Sequence, residues 1–369
     1  MTLRAAPLEM DARLKPAYEI LDRAVADKAF PGGVLAVGIR GELAVHAFGG
    51  QTYDAHAPAV TPTTIYDLAS LTKAVVTTTA VAMLVAANRV QLDAPLERFL
   101  PEWSKGSNAT DSRKTVTVRQ LLLHTSGLPG WRQYFADTRG KKEILAKALA
   151  EPLVAEPGTK IEYSDIGFIL LGEIVERVSG KTLDQFARER IFAPLGMSDA
   201  QFNPPKSLLP RIAPTENDTT YRKRLVHGEV HDQNAWAMGG VAGDAGLFST
   251  AADLAAFCQM MLNGGIYAHQ RLLSRSTIAQ FTKPVKVGEM SRTLGWDVPS
   301  EQSQSGKYFS ARSYGHLGYT GTSIWIDPEK ELFVILLTNR VHPSAENEKI
   351  KAVRPAVHDA VMEALGLKP

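Results

Sequence analysis

Ser70 and Lys73 open a long apolar segment, YDLASLTKAVVTTTAVAMLV. Three residues apart on a helix, they share one face. A serine hydroxyl is a poor nucleophile near neutral pH, and an amine one turn away can remove or relay its proton. No glycine or proline interrupts residues Lys73 to Ala87. That run predicts a helix, with Val75, Ala82, Leu84 and Val85 in a buried stripe. Ser70 then lies in or near the first turn, where unpaired N–H groups and the positive dipole end favour developing negative charge. For this role Lys73 must be partly desolvated, because burial lowers an amine's pKa.

Two further segments carry chemistry-bearing residues. In EPGTKIEYSDIGFILLGEIVERVSG, Pro157-Gly158 marks a turn, and Ile166 to Val178 reads as a mostly buried helix with Gly180 near its C-terminal end. Tyr163 falls at the loop–helix junction, where a phenol could act as general base if nearby positive charge lowered its pKa. In SYGHLGYTGTSIWIDPEKELFVILLTNR, His316-Leu317-Gly318-Tyr319 precedes a predicted hairpin. Its strands are Thr320 to Ile326 and Leu332 to Thr338, joined through Asp327–Lys330. A glycine before a strand permits close backbone approach. The Tyr319 N–H could then pair with that of Ser70 to hold an oxyanion.

Other patterns compete. His227, His231 and Asp232 could ligate zinc, although Gly228 and Val230 argue against a helix there. The alternative reading is a loop at the cleft with Asp232 or Trp236 on its wall. Gly180-Lys181-Thr182 mimics the end of a phosphate loop, but Val175 stands where the first glycine is needed. No G-x-S-x-G elbow occurs. His124 reads as a helix-end capping or packing residue. The glycines at 239, 240, 243 and 246 predict a tight loop lining a cleft.

With SLTK, YSD and HLG in this order, the chain resembles the serine β-lactamase-related hydrolases: class C β-lactamases, penicillin-recognising DD-peptidases and family VIII carboxylesterases. The phrases LLLHTSGLPGW, FAPLGM and MGGVAGDAGLFST extend the resemblance from about Phe30 to Arg340. It implies that Ser70 is the acylated nucleophile, Lys73 its proton partner and Tyr163 the general base. His316 and Gly318 match the third motif, and the N–H groups of Ser70 and Tyr319 would form the oxyanion hole. It implies no cofactor and no metal, and a small ester, amide or β-lactam as substrate. Two departures matter. Asp165 stands where many relatives have Asn, exchanging an amide donor for a carboxylate. His316 and Leu317 replace the Lys and Thr typical of β-lactamases, and a neutral histidine attracts a β-lactam carboxylate less. The expected function is a serine hydrolase working through an acyl-enzyme. A catalytically inactive penicillin-binding-like module and a metal-dependent hydrolase using His227 and His231 are the alternatives.

The elements that must position these groups are legible in outline. A helix is expected near Met10 to Asp27, then strands Val34 to Ile39 and Leu43 to Phe48 turning at Arg40–Glu42. A further helix follows Thr117 and ends near Gly127. Another has Thr182 and Gln185 in capping-box spacing, and a final helix spans Lys349 to Leu365. Strands at both ends must meet in one sheet to bury their apolar faces. The fold class is therefore α/β of the α+β type. It is an antiparallel sheet flanked by helices (residues 1–90 and 236–369), with a mostly helical insertion (91–235), and the site at their junction.

The 369 residues are 44% hydrophobic and 22% charged, with net charge +2 and no basic block. This composition suits a globular hydrolase and gives no nucleic-acid signature. The single cysteine, Cys258, reads as a core thiol. No apolar segment predicts a membrane span, and the charged, amphipathic N-terminus predicts a cytoplasmic protein.

Overall fold

The computed structural model describes residues 2–105 and 110–368. Its main sheet has six strands: β1 (Arg4–Ala5), β2 (Gly32–Ile39), β3 (Glu42–Gly49), β4 (Tyr314–Gly318), β5 (Thr322–Asp327) and β6 (Leu332–Thr338). They lie in the order β1-β3-β2-β6-β5-β4. The two ends of the chain meet at the β2–β6 seam, antiparallel, with Val34 opposite Leu337 and Val37 opposite Val334. Only the short edge strand β1 runs parallel to its neighbour.

The central strands are apolar without interruption because both faces of the sheet are covered. Alternate side chains separate into two cores. Val34, Ala36, Phe333, Ile335 and Leu337 face one, which continues into the helices around Ser70. Leu35, Val37, Leu332, Val334 and Leu336 face the other, under helices α1 (Leu8–Arg13), α2 (Lys15–Ala26) and, at the C-terminal end, Ile350–Ala364. Among the described residues, 91–235 add no strand to this sheet.

Several boundaries differ from expectation. The predicted Met10–Asp27 helix is two helices broken at Leu14, because Pro16 suits a helix start and not an interior. Strand β5 begins at Thr322, since Gly321 N–H turns back to the Gly318 carbonyl. The helix after Thr117 stops at Leu122, and His124 closes it in a left-handed conformation (φ 57°). The Thr182–Gln185 capping box does not form; the Glu176 carboxylate takes the Leu183 N–H instead.

Candidate active site

Ser70 sits in a turn immediately before a wide π-helical stretch, Lys73–Thr78, which runs into α3 (Thr79–Ala86). Residues Lys73 to Ala82 are all buried, so the expected stripe is a helix enclosed on every side. The turn is held under tension. Ala69, before the serine, has φ 47°, a conformation that costs a non-glycine residue about 1 kcal/mol or more. Its N–H donates to Asp67 Oδ1 at 2.8 Å, and Asp67 Oδ2 accepts the His231 N–H at 2.6 Å.

The hairpin β4–β5 is lashed to this turn. Thr320 Oγ1 donates to the Asp67 carbonyl (2.7 Å) and Thr322 Oγ1 to the Leu68 carbonyl (3.0 Å). Gly318 makes this contact possible: a Cβ there would lie 2.5 Å from the Leu68 carbonyl oxygen. Tyr319 and Ser70 therefore line the same cavity. Among the described residues, neither backbone N–H is taken by a turn or cap hydrogen bond.

Lys73 is the hub. Its Nζ donates to Ser70 Oγ at 2.9 Å and to the Asp244 carbonyl at 3.0 Å, and pairs with Asp165 Oδ1 at 2.7 Å. It also lies 5.1 Å from the Tyr163 ring centre, and its side chain is 1% exposed. Helix α4 (Asp165–Ser179) places Asp165 in its first turn, with Ser164 Oγ capping the Gly167 N–H and Gly180 closing the far end. Tyr163 is 38% exposed and lines the cleft together with Ser70. His124 stacks on the Tyr163 ring at 4.5 Å and accepts the Ser164 N–H on Nδ1. It packs and orients, as its place at a helix end suggested.

The protonation states differ from the sequence expectation. Burial alone would push Lys73 down, but the Asp165 carboxylate, the largest opposing influence, prevails and holds its pKa above the ordinary amine value. Lys73 is desolvated and still charged. Tyr163 is raised by burial, relieved in part by Lys73 and raised again by Asp165, so it rests as a neutral phenol. His316 is pushed down to about 3 by burial, then by Arg292 and Lys73. Its Nδ1–H donates to the Leu317 carbonyl at 2.8 Å, which leaves Nε2 as a buried acceptor without a partner. Asp165 is thus the counter-ion of Lys73 rather than a free group for substrate.

The resting Lys73–Tyr163 pair carries one proton too many to accept another from Ser70. Were this pair to take the Ser70 proton, it would first have to lose one, a coupled ionisation belonging to both groups. Asp165 raises both members of that pair. In Asp165→Asn the ascending limb of the pH–rate profile therefore moves to lower pH, whichever member ionises. A profile left in place in a folded variant would contradict this arrangement.

The cleft has two arms that meet at Ser70, Tyr163 and Tyr319. One, of about 370 Å³, is rich in cations, among them Arg292, Arg340 and Arg354. Arg340 and Arg354 spend donors on backbone carbonyls. Arg292 is buried, its Nε has no partner among the described residues, and its guanidinium lies 5.5 Å from the Tyr163 ring centre. No sequence motif marked Arg292; it ends a short strand, Met290–Arg292, far in the chain from Ser70 and Tyr163. The other arm is acidic and includes Asp232 and Asp244. The glycine-rich loop that carries Asp244 does line the cleft. Its Gly243 packs against Gly172 of α4, where a Cβ would come within 3.0 Å of backbone.

His227 and His231 do not converge. His227 Nε2 faces the Leu209 and Ile212 carbonyls (3.1 and 2.8 Å), and His231 Nε2 lies 2.9 Å from Glu216. Among the described residues no three His, Cys, Asp or Glu side chains gather where they could hold a metal ion. Trp236 packs on Tyr221 and donates to Glu229, away from the cleft.

Residues 18–358 match the beta-lactamase family. The chain belongs to that family. It is a serine hydrolase of the beta-lactamase type. A putative D-alanyl-D-alanine carboxypeptidase of Escherichia coli (strain K12) is 35% identical over 311 residues, covering 78% of this chain and 71% of the relative. A penicillin-binding protein homologue from Caulobacter crescentus has the same fold, with TM-score 0.74 at 22% identity, covering 97% of this chain and 99% of its own. So does EstCE1, described as a hydrolase with promiscuous acyltransferase activity, with TM-score 0.76 at 20% identity, covering 95% and 100%. Among the described residues no helix is long and apolar enough to cross a membrane.

Proposed function

We propose that Ser70 is the nucleophile of an acyl-transfer hydrolase acting on a small ester or amide whose leaving side carries a carboxylate. The observation that carries this reading is the Ser70–Lys73 contact of 2.9 Å, opening on a cleft beneath the Tyr163 hydroxyl. Once the Lys73–Tyr163 pair has shed a proton, it takes the Ser70 proton as Oγ bonds to the carbonyl carbon. The oxyanion forms beside the N–H groups of Ser70 and Tyr319. The same pair returns the proton to the leaving oxygen or nitrogen as its bond to carbon breaks. A water then adds to the acyl-enzyme by the same route and restores Ser70. The carboxypeptidase named among the relatives supports a carboxylate on the departing fragment. Here Arg292 supplies a cation that neutral His316 does not, and a guanidinium matches a carboxylate with paired donors.

The test pairs covalent labelling with kinetics. A fluorophosphonate is expected to add once, on the peptide containing Ser70, and a slowly hydrolysed ester to leave its acyl group on the same peptide. Labelling elsewhere would refute the assignment. In Arg292→Ala, kcat/KM for an amide with a free terminal carboxylate should fall about 10–100-fold, the loss of one charged hydrogen-bonding partner. The corresponding methyl ester should be affected far less.

A further inference from the structure

The acidic arm is a cavity of about 490 Å³ beside Ser70, bounded by Asp165, Glu216, Asp232 and Asp244 and by the rings of Trp131 and Tyr319. Its charges do not balance. Asp165 is paired with Lys73, and Glu216 is hydrogen-bonded to the ring of His231. His231 is the only basic side chain among the described residues that line it. Asp232 Oδ1 caps the short helix Gln233–Ala237 by accepting the Ala235 N–H. Asp244 has no such use for its carboxyl. The residue is 1% exposed, it lines the cavity, and among the described residues its buried Oδ1 has no hydrogen-bond partner. A buried acceptor left without a donor destabilises the fold, and a ligand that donates to it recovers that cost. Trp131 is 43% exposed at the cleft, whereas the Tyr319 ring already has the Arg340 guanidinium 4.4 Å from its centre. Such faces attract cations through the ring quadrupole.

We propose that this cavity is a subsite for a cationic group of the substrate, an ammonium or guanidinium on the acyl side of the scissile bond, held by Asp244 and Asp232 against the Trp131 ring. The assignment of sides rests on the proposed function, in which Arg292 takes a carboxylate in the opposite arm. The two arms then select a substrate with its positive charge on the acyl part and its negative charge on the leaving part. A free α-amino or side-chain amine on the acyl residue has this chemistry, and acylating that amine destroys it. The enzyme is accordingly placed after reactions that expose an amine rather than before them.

Binding and turnover test the two readings separately. Ser70→Ala protein is titrated calorimetrically with an aminoacyl amide bearing a free ammonium and with its N-acetyl counterpart. The ammonium form is expected to bind about 10-fold or more tightly, and the advantage to shrink as salt is raised. Adding Asp232→Asn, which keeps the helix cap, or Asp244→Asn, which keeps the shape, should remove most of that advantage. Equal binding of the two ligands overturns the subsite, as does a preference that survives in both carboxylate variants. Turnover of the matching p-nitrophenyl esters by the Ser70 protein reports on the nucleophile instead. Loss of hydrolysis with the binding preference intact would refute the acyl-enzyme reading alone.

Discussion

Ser70→Ala should lower kcat on any ester substrate by about 10⁴-fold or more, and leave the fold intact. Removing the nucleophile of a triad-type site costs between about 10⁴ and 10⁶ in kcat. The residual rate comes from the remaining oxyanion donors and from binding. The structural cost is small, because Ser70 precedes the helix and, among the described residues, its Oγ accepts from Lys73 Nζ. Lys73 retains Asp165 and the Asp244 carbonyl. Steady-state kinetics with a p-nitrophenyl ester, beside thermal unfolding of both proteins, checks the prediction. A fully active Ser70→Ala protein would remove the proposed mechanism, and metal-assisted hydrolysis would then have to be sought outside the His227 and His231 positions.

Lys73→Met should cost both activity and stability. The proton route loses a member, which is worth about 10²- to 10⁴-fold in rate. The stability effect is the more distinctive. Methionine fills most of the same space, but Asp165 loses its counter-ion inside a site that also holds Asp232 and Asp244. Removing one partner of a buried pair typically costs about 3–5 kcal/mol, because the other charge is left uncompensated. The sign with pH follows from the carboxylates. Asp232 and Asp244 already have raised pKa values, chiefly from burial, with carboxylate neighbours adding to it. Without Lys73 the carboxylates are raised further, and the penalty is full at pH values where they must ionise. It diminishes as the pH falls and they take up protons. The gap in thermal midpoint between wild type and variant should therefore be wider at pH 8 than at pH 5. The double variant Lys73→Met, Asp165→Asn should recover part of the loss. A gap that is constant with pH would mean that Lys73 carries no charge in the folded protein, contrary to its 2.7 Å pairing with Asp165.

These expectations separate what is local in the chain from what is not. The three-residue spacing of Ser70 and Lys73 and the glycine at 318 are short-range features, so their placement could be anticipated. So could the uninterrupted apolar strands near residues 34 and 334. One face alternates against the next residue by residue, and the only partner able to cover such a strand at one end of the chain is its counterpart at the other. Helix α4 was legible for the same reason, from its apolar run and the glycine that ends it. Where two local signals competed, one failed: Thr182 has capping-box spacing, yet Glu176 from the preceding helix reaches the Leu183 N–H first.

The electrostatic state of the site is a different kind of property. Burial of Lys73 was expected to discharge it, and burial does act in that direction. The outcome is reversed by Asp165 and Asp244, which lie 92 and 171 positions away in the chain and within reach of the same ammonium. The carboxyl of Asp244, the guanidinium of Arg292 and the division of the cleft into an acidic and a basic arm have no signature in spacing. Each depends on loops from distant parts of the chain meeting at one serine. Coulomb interactions fall with distance and rise steeply as water is excluded, so charge at a site is decided by which groups share a desolvated volume. Local sequence determined which residues could do the chemistry and on which elements they would sit. Only the tertiary structure decided which of them are charged, and what charge a substrate must bring to meet them.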